Sequence, residues 1–146
     1  MSQPFDSQMV IDRLKSLPEL QSVAGAAEYA TVTSLKDFRV PCAYVLLLQE
    51  RGDDAAVKPR GGQRAIVTFA VVVAARNYGD QRGERTLQEL RPLLGSVRDL
   101  LMGWTPEARG ARPVQWTRGD VLDYDRSTLL WADVYQTQHF IGGNPA

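Results

Sequence analysis

A chain of 146 residues with 44% hydrophobic and 23% charged side chains is the size and composition of one soluble globular domain, long enough to bury a core without disulfides or metals. Its formal net charge is zero, so nothing global points to nucleic acid or an anionic membrane as partner. A single cysteine, Cys42, excludes an internal disulfide framework and fits a reducing compartment.

The opening MSQPFDSQMVIDRL lacks a basic stretch followed by an apolar run, so no signal peptide is expected. No apolar run approaches the ~20 residues that span a bilayer. Val10, Ile11, Leu14 and Leu17 recur at helical spacing and predict a helix over 7–17, capped by Asp6 or Ser7 and stopped by Pro18. A short strand is expected within 20–26. The segment 26–36 is open between helix, from its alanines, and extended chain, from Tyr29, Thr31, Val32 and Thr33.

Pro41 opens a strand over 42–49. The segment 50–62, ERGDDAAVKPRGG, has no apolar periodicity and reads as a loop, long for a hairpin whose loops usually run ~2–5 residues. In the next strand, 64–76, Ala65, Val67, Phe69, Val71 and Val73 form an apolar face at period two. The two strands make an antiparallel hairpin with a long tip. Residues 77–82 form a turn.

A long helix follows over about 83–103. Leu87, Leu90, Leu94, Val97 and Leu101 line one face, and Leu93 and Leu100 widen it into a stripe able to cover a sheet. Pro92 removes a backbone donor from that helix, so a kink or a break is expected there. Gly103 caps the helix and Pro106 stops it. Strands over 113–121 and 127–141 then form a second hairpin, and residues 142–146 form a tail expected to be disordered. The order predicts one α+β domain over 2–141. It has a mainly antiparallel sheet of four to five strands with helices on one face.

The other sheet face should then be polar, yet Tyr44, Leu46, Leu48, Ile66, Ala70 and Val72 place apolar groups on both faces. In the last strand, Leu129, Trp131, Tyr135 and Ile141 oppose Leu130, Ala132 and Val134. Either another segment of the chain covers the second face or a neighbouring subunit does.

Residues with catalytic or ligating potential are sparse. Asp120, Asp123 and Asp125, with His139 across the last hairpin, carry the chemistry of a divalent-cation site, but hairpin aspartates more often make turn hydrogen bonds. Cys42 shows no local sign of thiolate activation, and neither a nucleophile elbow nor a phosphate-binding loop is present. No cofactor, metal or catalytic residue is assigned. The loop 50–64 is polarised, acidic first and basic last. It carries Arg51, Asp53, Asp54, Lys58, Arg60 and Arg64, and suits a docking arm that orders on contact.

Several motifs occur in a fixed order: V-I-x-R-L at 10–14, V-x-G-A-A-E at 23–28, P-x-A-Y-V-L at 41–46, L-M-G-W-T-P at 101–106 and L-W-A-D-V-Y at 130–135. Together, over about residues 8–141, they resemble the tail terminator proteins of long-tailed bacteriophages, in particular the Mu-like phage gp37 family. The resemblance implies a virion structural protein without catalytic residues, assembled in the host cytoplasm. It would form a homohexameric ring that caps the tail tube, ends its polymerisation and offers a surface to head-completion or neck proteins. DNA would pass the lumen without specific binding. On this reading the second sheet face, with Trp131, Tyr135 and Leu129, is the expected subunit interface, and loop 50–64 reaches the tube or a neighbour. A head–tail joining protein is the nearest alternative. A small metal-dependent enzyme using the aspartates and His139 is the more distant one.

Overall fold

In a computed structural model, residues 2–53, 62–76 and 84–143 are described, with the side chains of 84–87 and 89 outside the description. The elements are α1 (Gln8–Leu14), β1 (Ser22–Ala24), α2 (Ala26–Thr31), a 3₁₀ turn (Leu35–Asp37), β2 (Cys42–Gly52), β3 (Gln63–Arg76), α3 (Glu84–Leu101), β4 (Gln115–Tyr124) and β5 (Thr128–Ile141). The strands form one sheet in the order β1-β2-β3-β5-β4. β1 runs parallel to β2, and every other neighbouring pair is antiparallel. This is the α+β class that the sequence pattern predicts. No described helix is long and apolar enough to cross a membrane.

β3 and β5 lie at the centre of the sheet and are buried along most of their length, which is why both are rich in Val, Leu and aromatic side chains. Their odd-numbered residues, Val67, Phe69, Val71, Val73, Leu129 and Tyr135, form the larger core with Val10, Ile11 and Leu14 of α1 and Leu90, Leu94, Val97 and Leu101 of α3. Phe5 enters the same core and stacks on Phe69 with ring centroids 6.2 Å apart. The N-terminal arm is tied down further: Phe5 N–H donates to Glu50 Oε1 (2.7 Å), and Gly142 N–H donates to Ser2 Oγ (3.1 Å). Of the tail expected to be disordered, Gly142 is thus hydrogen-bonded, and 144–146 lie outside the described residues.

The second apolar face is covered in part from within the chain. The segment 26–36, open between helix and extended chain from sequence, folds together with the two residues after it as α2, the 3₁₀ turn and its C-cap Phe38. Its Tyr29, Val32, Leu35 and Phe38 pack on Cys42, Tyr44, Val72, Ala74, Leu130 and Ala132. Helical structure therefore lies on both faces, with α1 and α3 on one and α2 on the other. Burial raises the Cys42 thiol pKa and pushes the Tyr44 phenol up to about 12, so both are neutral packing groups.

Several elements depart from the sequence expectation, and α1 ends at Leu14 rather than at residue 17. β2 continues to Gly52, because Glu50, Arg51 and Gly52 pair with Val67, Ile66 and Ala65 after a bulge between Leu47 and Gln49. β4 extends to Tyr124, which pairs with Leu129 and shortens the expected 122–126 turn. α3 runs through Pro92 without a break. Pro92 sits on the exposed side of the helix, so packing of the leucine stripe outweighs the lost hydrogen bond. Replacing Pro92 with alanine is therefore expected to raise stability by about 1–3 kcal/mol, read from the urea midpoint at unchanged m-value.

The G-W-T-P motif locks the helix end to the second hairpin. Gly103 takes φ +82°, a conformation that favours glycine, and its N–H donates to Val114 O (2.9 Å). Val114 N–H donates in return to Trp104 O (2.8 Å). Arg13 of α1 lies 4.9 Å over the Trp104 ring and donates through Nε to Leu100 O (2.5 Å), joining α1 to the C-terminal end of α3.

Candidate assembly surface

The L-W-A-D-V-Y motif of β5 puts Trp131, Asp133 and Tyr135 on the face covered by α3, because alternate strand residues share a face. A carboxylate there must be paired, and Asp133, with no exposed surface, is saturated. Arg98 of α3 donates to it from Nε to Oδ2 (2.8 Å) and from Nη2 to Oδ1 (2.9 Å). Trp116 and Trp131 donate their indole N–H groups to Oδ1 (3.1 and 2.9 Å), and Tyr135 O–H donates to Oδ2 (3.2 Å). Arg98 also lies 4.9 Å over the Trp116 ring. One carboxylate thus joins α3, β4 and β5.

The titration of this group follows from its contacts. Burial pushes the Asp133 carboxyl up, but the hydrogen bonds from Arg98, Trp131 and Trp116 and the Arg98 charge outweigh it, and the net shift is downward. Arg98 is raised, first by its hydrogen bond to Asp133. Tyr135 is raised, first by burial and then by the Asp133 charge. Opposite Asp133 sits Gly119, where a Cβ would come within 2.7 Å of both Asp133 Oδ1 and the Trp131 ring. Glycine is the residue that lets β4 lie this close.

Beyond that node β4 is open. Every β4 residue except the half-buried Gly119 is exposed, and Trp116, Val121, Leu122 and Tyr124 are large apolar groups among them. β4 forms one margin of the sheet, and no described strand lies outside it. At the opposite margin β1 covers only Cys42–Tyr44, so the outer edge of β2 from Val45 to Gly52 has no strand neighbour among the described residues. Leu47 and Leu48 are exposed there. Exposed edges bearing apolar side chains are association surfaces unless they are blocked.

The residues expected to form the interface are placed differently. Tyr135 (0% exposed) and Leu129 (2%) are buried in the core under the helices, and Trp131 is half-buried beside them. They belong to the helix-covered face, and period two alone could not say which face that would be. Their contribution is internal: Trp131 and Tyr135 donate to Asp133, and Leu129 packs in the core. Of the loop residues, Arg51 is exposed on β2, and Arg64 Nη2 lies 2.5 Å from Asp53 Oδ2. Asp54, Lys58 and Arg60 lie outside the described residues.

The aspartates and His139 do not converge. Asp120 lies 3.6 Å from Arg118, Asp123 pairs in register with Leu130, and Asp125 closes the hairpin by accepting from the N–H groups of Ser127 (2.7 Å) and Thr128 (2.9 Å). Those backbone hydrogen bonds lower the Asp125 pKa. His139 sits toward the other end of β5, opposite Ala65, with Nε2 2.8 Å from Glu50 Oε1. No group of three or more such ligands gathers among the described residues.

Arg98, Trp116 and Asp133 escaped the sequence reading as a unit, although an aspartate inside an apolar strand motif signals that a buried partner is needed. No curated protein sequence matches the chain. The fold is similar to that of a chain in a solved structure described as the virion of a native gene transfer agent particle. The TM-score is 0.59 at 18% identity, over 92% of each chain. Residues 1–145 match the family described as phage tail terminator protein, and the chain belongs to that family of virion structural proteins.

Proposed function

We propose that this chain is the tail terminator of a long-tailed phage of the Mu-like group. It assembles as a ring of six on the end of the tail tube, stops tube polymerisation and offers its outer surface to a head-completion or neck protein. The family match across residues 1–145 carries this reading. The two open sheet margins support it, since a closed ring needs two different, complementary surfaces on each subunit. The β2–β3 tip, with Arg51, Asp53 and Arg64 and the segment that includes Asp54, Lys58 and Arg60, is the part proposed to reach the tube or a neighbouring subunit. DNA passes the lumen without specific binding, and assembly takes place in the host cytoplasm.

The test is electron microscopy of particles made without this chain. Tubes of uncontrolled, greater length are the expected result. Tubes of normal length that fail to join heads would assign the chain to head–tail joining instead.

A further inference from the structure

The two open margins carry the same tripeptide. Arg51 and Gly52 end β2 with Asp53 the next residue, and Arg118-Gly119-Asp120 lies in β4. Set antiparallel, the two are complementary: Arg118 meets Asp53, glycine meets glycine, and Asp120 meets Arg51.

The sheet register agrees with this match. Arg118 and Asp120 lie opposite Val134 and Ala132, and Arg51 lies opposite Ile66. All belong to the face away from α3, so a sheet continued from β4 into β2 of another copy keeps both charge pairs on one side. Bulges between Trp116 and Arg118 and between Val121 and Asp123 leave Arg118–Val121 as a regular stretch of β4. After the bulge between Leu47 and Gln49, β2 pairs regularly to Gly52, and Asp53 N–H continues the pairing by donating to Arg64 O (3.0 Å), so 50–53 is regular as well.

Direction agrees as well. The order β2-β3-β5-β4 is antiparallel throughout, so β2 and β4 run in opposite senses. When copies are related by rotation about an axis along the strands, β4 of one meets β2 of the next antiparallel, the arrangement in which these tripeptides match.

We infer that β4 of one copy adds to the open half of β2 of the next through the segments 118–121 and 50–53, continuing the sheet from subunit to subunit. The inference rests on the ring proposed above and adds the contact that closes it. Arg51, Arg118 and Asp120 are exposed, and the loose pair of Arg118 with Asp120, at 3.6 Å on the surface, gives way to the contacts between subunits. Asp53, already beside Arg64, shares its carboxylate with the incoming Arg118. Main-chain hydrogen bonds along the shared edge supply affinity, and the charge pairs fix register.

Charge reversal with rescue tests this. Sedimentation is measured for the purified chain alone and with tail tubes assembled without it. Asp120→Arg faces Arg51 with a like charge, and Arg51→Asp faces Asp120 with one. Each is expected to weaken association at least about tenfold. The double variant restores an opposite pair and should associate within about threefold of the unaltered chain. Both altered positions are exposed strand positions, and circular dichroism verifies that the fold is kept. If the unaltered chain assembles and both single variants assemble equally well, the edge contact is wrong and the ring stands. If single variants fail and the double variant does not recover, the pairing of these two positions is overturned. If the unaltered chain remains monomeric even with tubes, the ring fails and this contact with it.

Discussion

Replacing Asp133 with asparagine is expected to cost about 3–5 kcal/mol of folding stability. The side chain has no exposed surface and accepts from Arg98, Trp116, Trp131 and Tyr135. Asparagine keeps the size but removes the charge that holds Arg98, and it points an amide N–H₂ at groups that are themselves donors. Tyr135 then loses its acceptor in a place water does not reach, which is the costly case, and the partly exposed Arg98, Trp116 and Trp131 lose the charge that gathers them. At ~2–4 °C per kcal/mol for a domain near this size, the melting temperature should fall by roughly 6–20 °C. Against a total of ~5–15 kcal/mol, this loss is a large share of the stability of the fold. Urea denaturation checks this, and a change below about 1 kcal/mol would show that Asp133 does not hold α3 to β4 and β5.

The same residue sets an acid limit. Its folded-state pKa lies below the ordinary 3.8, so its contribution to stability is complete above that value. It is lost as pH falls below 3.8 through the depressed folded-state pKa, because the unfolded chain then binds the proton more readily. Asp125 shifts in the same direction and adds to that slope. The Asp133→Asn variant should therefore lose less stability than the unaltered chain between neutral pH and pH ~3.

Phe69→Ala is the second large effect, expected to cost about 3–5 kcal/mol. Phe69 is fully buried at the centre of β3 and stacks between Phe5, at 6.2 Å, and Tyr135, at 5.4 Å. Truncation leaves a cavity lined by rigid aromatic groups and strand backbone, which collapse poorly. It also removes the surface on which the N-terminal arm rests, so amide exchange near Phe5 should accelerate together with the loss of global stability. Leu48→Ala is the control: Leu48 is 50% exposed on the open edge of β2, and its truncation should change stability by no more than about 0.5 kcal/mol. Equal costs at the two positions would mean that the core is not centred on Phe69.

Much of the fold was legible in order and type. Periodicity of 3.6 located α1 and α3, and period two located β3 and β5, because burial on one side leaves a regular stripe. Pro41, Gly103 and Pro106 marked ends because their backbone chemistry is local. Element ends were less legible. β2 runs on to Gly52 through polar residues because β3 offers partners there, and α3 passes Pro92 because its other face is packed. Polar strand ends and a tolerated proline are decided by neighbours distant in sequence.

The same division holds for the site. The sequence by itself determined the class, the amphipathic stripes, the family motifs and the presence of apolar side chains on both sheet faces. Only the tertiary structure decided which face each helix covers, and so placed Leu129, Trp131 and Tyr135 inside rather than at an interface. Only it brought Arg98 and Trp116 to Asp133 and set the two R-G-D tripeptides on opposite open margins of one sheet. Alternation along a strand records that two faces differ. Which face is covered, and which strand stands at the margin, depend on packing between segments that a linear pattern does not encode.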